Sequence, residues 1–221
     1  MKTIMNMLMA GAAITMTSLP SIAGIQYEAF ASAVIIEHVD ELTGEATLAS
    51  DSVFGAGTAL ASTDTSPNST GWSGLGMLAD GSGFQYSGGF QHEEINDVST
   101  SFQFRAENVI EFTLDTAMQW DYSYVMDVNG VDLDYGYFGL ENADGAVFNL
   151  GVYAHHSSEY SYTLAAGDYK LEIALLGQSI AGATGSGGLG WDMSMQFSAL
   201  PGPGALALLG LAGIASRRRR R

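Results

Sequence analysis

Gln119-Trp120-Asp121-Tyr122-Ser123-Tyr124-Val125-Met126-Asp127-Val128-Asn129 alternates large apolar side chains with polar ones. Trp120, Tyr122, Tyr124, Met126 and Val128 share one side of an extended backbone. Gln119, Asp121, Ser123, Asp127 and Asn129 share the other. A period of two belongs to a strand, because successive side chains leave a pleated chain on opposite faces. One face is made for burial and the other for water, the pattern of an antiparallel sheet wetted on one side. The same alternation recurs in Phe102 and Phe104, in Ile110, Phe112 and Leu114, and in Leu189, Trp191, Met193, Met195 and Phe197.

Turn residues punctuate these runs. Asn129-Gly130 suits a tight hairpin, and Ala143-Asp144-Gly145 separates two further strand-like runs. Ala165 to Asp168 predicts a hairpin spanning Tyr160 to Leu176. A strand is expected from about Ile25 to Val39. The Gly- and Ser-rich stretches 61–76, 80–89 and 181–190 read as surface loops. No repeat of fixed period is present, which argues against a propeller or solenoid. The expected fold is all-β: an antiparallel two-sheet β-sandwich, jelly-roll-like, formed by residues 24–198.

Both ends read as export signals. Lys2 precedes a mostly apolar stretch, Ile4 to Leu19, and Ser21-Ile22-Ala23 is a small-x-small cleavage site. Residues 1–23 are therefore expected to be a signal helix that signal peptidase cuts between Ala23 and Gly24. At the other end stand Pro201-Gly202-Pro203, an uncharged Ala/Leu-rich helix from Ala205 to Ala215, and Arg217, Arg218, Arg219, Arg220 and Arg221. The arginines would keep the C-terminus cytoplasmic and extend a short membrane helix by reaching to the headgroups.

This tail, 199–221, resembles the PEP-CTERM sorting signal of Gram-negative bacteria: a Pro-Glu-Pro-like motif, a short transmembrane helix and a basic cluster in that order. Gly202 stands where the usual motif has its acidic residue. The resemblance implies processing by exosortase, a membrane-embedded transpeptidase-like enzyme, near Pro201 to Pro203. It also implies an inner-membrane-anchored precursor that ends at the cell surface or in the extracellular matrix, in the company of biofilm polysaccharide.

Charge narrows the partners. All 24 acidic residues lie within 24–200, against two basic ones, Arg105 and Lys170, a net of −22. Nucleic acid is excluded as a partner, since it demands a basic footprint. The acid excess reads as a solvating surface or a surface for divalent cations. Cysteine is absent, so no disulfide or thiolate site exists in this chain.

No catalytic residue, cofactor or metal ligand emerges from motif spacing. His155-His156 are neighbours that a strand would point apart, and they read as a solvated loop. Asp127, Asn129, Asp132 and Asp134 carry oxygen ligands of the kind calcium takes, but their spacing fails the EF-hand loop. They read as a charged hairpin rim, as do Glu93, Glu94 and Asp97. Gly185-Ser186-Gly187 is no nucleophile elbow. Tyr135, Tyr137, Tyr153, Tyr160 and Tyr162 suit sugar stacking or half-buried sheet packing, and the latter reading is favoured. Two function classes follow: a non-enzymatic surface or matrix protein, or a domain that binds polysaccharide, with or without calcium, or hydrolyses it.

Overall fold

The computed structural model describes residues 24–63, 68–95, 100–129, 132–152, 157–179 and 185–200. The signal segment 1–23, the sorting motif Pro201-Gly202-Pro203, its apolar helix and Arg217 to Arg221 lie outside them, as do His155-His156 and Gly130. The described residues form twelve strands and no helix. These are β1 (Ile25–Asp40), β2 (Ala46–Phe54), β3 (Gly57–Thr63), β4 (Ser69–Met77), β5 (Gly83–Ile95) and β6 (Thr100–Leu114). The second half gives β7 (Met118–Asn129), β8 (Asp132–Asn142), β9 (Gly145–Val152), β10 (Ser157–Leu164), β11 (Gly167–Ser179) and β12 (Gly185–Ala199).

They make two six-stranded antiparallel sheets. The first runs β2-β1-β6-β11-β8-β9 and the second β10-β7-β12-β5-β4-β3. This is the jelly-roll-like sandwich that the alternation predicts. Trp120, Tyr122, Tyr124 and Met126 face inward from β7, and Trp191, Met193, Met195 and Phe197 do so from the adjacent β12. From the first sheet, Phe102, Phe104, Ile110 and Phe112 of β6 meet them, with Ile173 and Leu175 of β11. The result is an aromatic core, in which Phe90 and Phe104 stack at 4.9 Å and Phe112 meets Phe197 edge-on at 5.2 Å.

Two sequence expectations are corrected. Residues 61–76 and 80–89 are not surface loops, for they contribute most of β4, half of β5 and the end of β3. Likewise 185–190, at the end of the third stretch, begins β12. The glycines serve packing here. A Cβ on Gly88 would overlap the ring of Trp191, and one on Gly71 would overlap Phe104. Large rings occupy the space that side chains would otherwise take.

The second correction concerns connections. Neither Asn129-Gly130 nor Ala165 to Asp168 closes a hairpin. β7 and β10 belong to the second sheet, whereas β8 and β11 belong to the first, so both segments carry the chain between sheets. Such crossings also use Gly and Asp, because they too need a sharp backbone change. Ala143-Asp144-Gly145 does close a hairpin, between β8 and β9, with Gly145 at φ +117°.

A polar bridge crosses the core. Ser32 of β1 donates to Asn108 Oδ1 of β6 at 2.5 Å, and Asn108 Nδ2 donates to Ser73 of β4 at 2.8 Å. All three residues are buried. At one lateral edge the sheets are tied by the Leu60 amide of β3, which donates to Asp51 Oδ2 of β2 at 2.8 Å.

Candidate functional site

Strand pairing places small and polar residues over the outer face of the second sheet. Directly paired residues share a face, so the rows can be read across the strands. One row is Ser161, Asp121 and Gln196, and the next is Glu159, Ser123, Ser194 and Gln85. Then come Val125, Asp192, Ser87 and Gly74, followed by Asp127, Gly190, Gly89, Trp72 and Leu60. The inward neighbours of these residues form the core, and this face is turned to solvent.

Three hollows lie on it. One of about 500 Å³ is lined by Asp121, Ser123, Glu159, Ser161, Ser194 and Gln196. A second, about 250 Å³, follows at Gln85, Ser87, Val125 and Asp192. A third, about 550 Å³, lies between Trp72, Gln91, Asp127 and the glycines 187, 188 and 190. Shared lining residues, Ser123 and Ser194, join the first to the second. The three follow β7 and β12 from Asp121 to Asp127, about 20 Å at strand rise. The first two joined and the third one row beyond them, they mark a shallow trough along this face.

Trp72 turns a large ring outward onto its floor. The side chain is half-buried, and its ring lies across Gly89, where any Cβ would collide with it. Beyond it, Gly190 has open space above the backbone. Asp127 stands on the far side of Gly190. From β5, which the ring covers, to β7, which carries Asp127, is two strand spacings, about 10 Å. A sugar ring lying on Gly190 would have the indole on one side and a carboxylate on the other. Asp121, at the opposite end, accepts from Ser161 Oγ and from Gln119 Nε2 at 3.4 Å.

The residues singled out in the sequence are only partly gathered here. Asp127 lines the third hollow, and Glu93 is exposed at the end of β5. Tyr160 also lines the first hollow, but its ring and that of Tyr162 turn toward the edge of the core. They close a lateral opening of the sandwich, where Tyr160 stacks on Tyr122 at 5.0 Å and Tyr162 meets Phe148 at 5.1 Å. Tyr137 lies on the outer face of the first sheet, over Gly139. Among the described residues, no three carboxylate or histidine side chains converge as a metal site would require.

A histidine cluster was not legible from spacing. His38 of β1 and His92 of β5 are buried at one end of the core. His38 Nε2 hydrogen-bonds Ser69 Oγ at 2.9 Å, and His92 Nδ1 donates to the Glu93 carbonyl at 2.8 Å. The His92 ring packs 4.6 Å from Phe102. Burial pushes the His38 pKa below its ordinary 6.5, and the neighbouring His92 adds to the shift. Burial also raises the Tyr86 and Tyr122 phenols, so both stay neutral.

No family model matches the sequence, and no curated protein does. Among solved structures, the carbohydrate-binding module TmCBM61 in complex with β-1,4-galactotriose is similar at TM-score 0.30 and 11% identity, over 65% of this chain and 88% of that one. The Clostridium thermocellum xylanase 10B, as CBM22-1 and GH10 modules with xylohexaose, is similar at TM-score 0.25 and 13% identity, over 58% of this chain and 25% of its own. An exo-β-agarase is similar at TM-score 0.24 and 11% identity, over 82% and 24%.

Proposed function

We propose that the protein is an exported, non-enzymatic surface or matrix protein that binds polysaccharide in the trough on its second sheet. The observation that carries this reading is Trp72, a ring laid flat beside an open glycine floor with Asp127 opposite. Sugar rings pair an apolar face with a polar rim. An indole covers the first, and carboxylates, amides and hydroxyls answer the second. A long, open trough suits the interior of a polymer better than a small molecule, which would need an enclosed cavity.

The two chain ends support export. A leader would be removed at Ala23, and exosortase would act near Pro201 to Pro203, leaving the sandwich at the surface or in the matrix. Intact-mass measurement of the protein from native cells tests this: the expected form starts at Gly24 and lacks Arg217 to Arg221. Recovery of mostly unprocessed chain would overturn it.

Binding is tested with a panel of soluble polysaccharides and Trp72→Ala. Covering about 100 Å² of the indole at about 25 cal/mol per Å² contributes roughly 2–3 kcal/mol. Trp72→Ala should therefore weaken binding by roughly 30- to 100-fold. Unchanged affinity in that variant would remove the trough from the account.

A further inference from the structure

We propose that His38, Ser69 and His92 form an acid-sensitive latch behind the Trp72 end of the trough, which holds polysaccharide near neutral pH and releases it in acid. The proposal rests on the polysaccharide-binding reading above and adds its regulation. Ser69, the first residue of β4, gathers strands from both sheets. Its amide donates to Thr63 Oγ1 of β3 at 3.1 Å, and its hydroxyl meets His38 Nε2 of β1 at 2.9 Å. In β5 its register partner is His92. Beside them the Glu93 amide donates to the Asn68 carbonyl at 2.9 Å. The Phe102 ring of β6 lies 6.3 Å from the His38 ring and 4.6 Å from that of His92. Thr63, His38, Ser69, His92 and Phe102 are all buried. This knot reaches the trough directly. His92 lines the third hollow together with Trp72, and Trp72 stands three residues along β4 from Ser69. Opposite His92 and Gln91, β12 supplies Gly187 and Gly188, which have no side chains to brace this end.

The latch holds only while His38 is neutral. Its Nε2 has Ser69, but its Nδ1 is buried and has no hydrogen-bond partner among the described residues. The neutral ring can leave that nitrogen a bare acceptor while Nε2–H donates to Ser69. The cation must carry a proton on both nitrogens, and Nδ1–H would then be a buried, charged donor without an acceptor. The groups that face His38 offer no relief. They are Ser69 from β4, His92 from β5 and Phe102 from β6, with Thr47 its register partner in β2. Among the described residues His92 is the titratable group whose charge bears on it, and its cation has the same sign. The carboxylates near the strand end are turned elsewhere. Asp40 accepts from the Leu42 and Thr43 amides, Glu41 accepts from Ser101, and Glu93 is exposed. Glu37 leaves β1 on the opposite face. The proton is accommodated by opening this end to water, where the imidazole regains its ordinary value of 6.5. Opening costs β4 its ties at Ser69 and leaves the Trp72 end of the hollow unsupported. Acid therefore favours the open form, from 6.5 down through the lowered pKa of the closed form. Polysaccharide needs the closed form, so its binding is linked to proton release.

The test uses the full chain, held in detergent at fixed ionic strength, with galactan, xylan and a soluble glucan, neutral polymers that do not themselves titrate. Between about pH 7.5 and about pH 5 the affinity of wild type should fall at least roughly threefold, as the binding-competent fraction shrinks. His38→Gln, which cannot take the proton, should flatten that dependence. On wild type alone, calorimetry at about pH 6 in two buffers of different ionisation enthalpy should show protons released on binding. Without polymer, the emission that Trp72 contributes, read as wild type minus Trp72→Phe, should move to longer wavelength over the same window. Binding that depends on Trp72 but is equally tight at both pH values would overturn the latch and leave the polysaccharide reading intact. The emission change with no polymer bound at any pH would support the latch and sink that reading. A pH dependence retained in His38→Gln would put the sensing group elsewhere and overturn the latch. So would loss of the β-type circular dichroism across the window, which would mean unfolding of the whole sandwich.

Discussion

Trp72 owes its position to a missing side chain. Gly89, its cross-strand partner, leaves the floor empty, and the ring fills it. Gly89→Ala should lift the indole off the sheet and weaken polysaccharide binding about as much as Trp72→Ala, and its Cβ, within 2.9 Å of the Leu189 carbonyl, should lower stability as well. Gly88→Ala acts on the core side of the same strand. Its Cβ would press on the buried Trp191 ring and come within 2.8 Å of the Trp72 carbonyl, neither of which can yield cheaply. Overpacking of this kind costs about 1–3 kcal/mol. Thermal melts of the two variants check this, and either protein as stable as wild type would contradict the packing described. Asn108 makes a similar point with polar atoms. Asn108→Leu would strand the buried Ser32 and Ser73 hydroxyls, at a cost of about 1–3 kcal/mol each. Urea unfolding should show a lowered midpoint with an unchanged slope.

Among the elements, β7, β6 and β12 were legible in the sequence because their inner faces carry large rings and their outer faces carry polar groups. β4 was not. Its inward positions are Gly71, Ser73 and Leu75, and its one Trp faces outward. Small residues fill most of its inward face while its one large ring stands on the outward face, so alternation alone does not mark the strand. Trp72 on that outward face is the residue that marks the candidate site. The crossings at Asn129-Gly130 and at Ala165 to Asp168 were misread for another reason. Turn chemistry reports a change of direction, and a hairpin and a sheet-to-sheet crossing share it. His38 and His92 lie 54 residues apart, and only the meeting of β1 with β4 and β5 brings them together. The pKa of His38 is depressed, so the folded state binds fewer protons than the unfolded one as pH falls below about 6.5. Its neutral form therefore supports the fold above that pH. The support is lost progressively as pH drops from 6.5 through the folded-state pKa, and is constant below it. Denaturation midpoints measured against pH should fall more steeply for wild type than for His38→Gln across this window. Parallel curves would show that the cluster does not sense acid.

For the whole molecule, charge dominates. A net of −22 over residues 24–200 means that folding works against self-repulsion at low ionic strength. Added sodium chloride should raise the melting temperature, most steeply in the dilute range where screening changes fastest. A flat or falling dependence would contradict this. The sandwich itself is secured by its core, as Tyr122→Asp would show: a charge placed at that buried position should cost several kcal/mol. The division of labour is then clear. One face of each sheet makes the core, the outer face of the first sheet carries both described cations, and the outer face of the second carries the trough.

The central claim is that this trough holds polysaccharide against Trp72, and tryptophan fluorescence reads it most directly. Trp120 and Trp191 are buried, whereas Trp72 is partly open to solvent. Titration with a bound polysaccharide should shift the emission saturably to shorter wavelength, as a sugar ring displaces water from the indole. The shift should vanish in both Trp72→Ala and Trp72→Phe, while Trp72→Phe, keeping an aromatic face, should still bind. If the polysaccharide binds to wild type and to Trp72→Ala with equal affinity, or if binding leaves Trp72 emission unchanged, the trough is not the binding face.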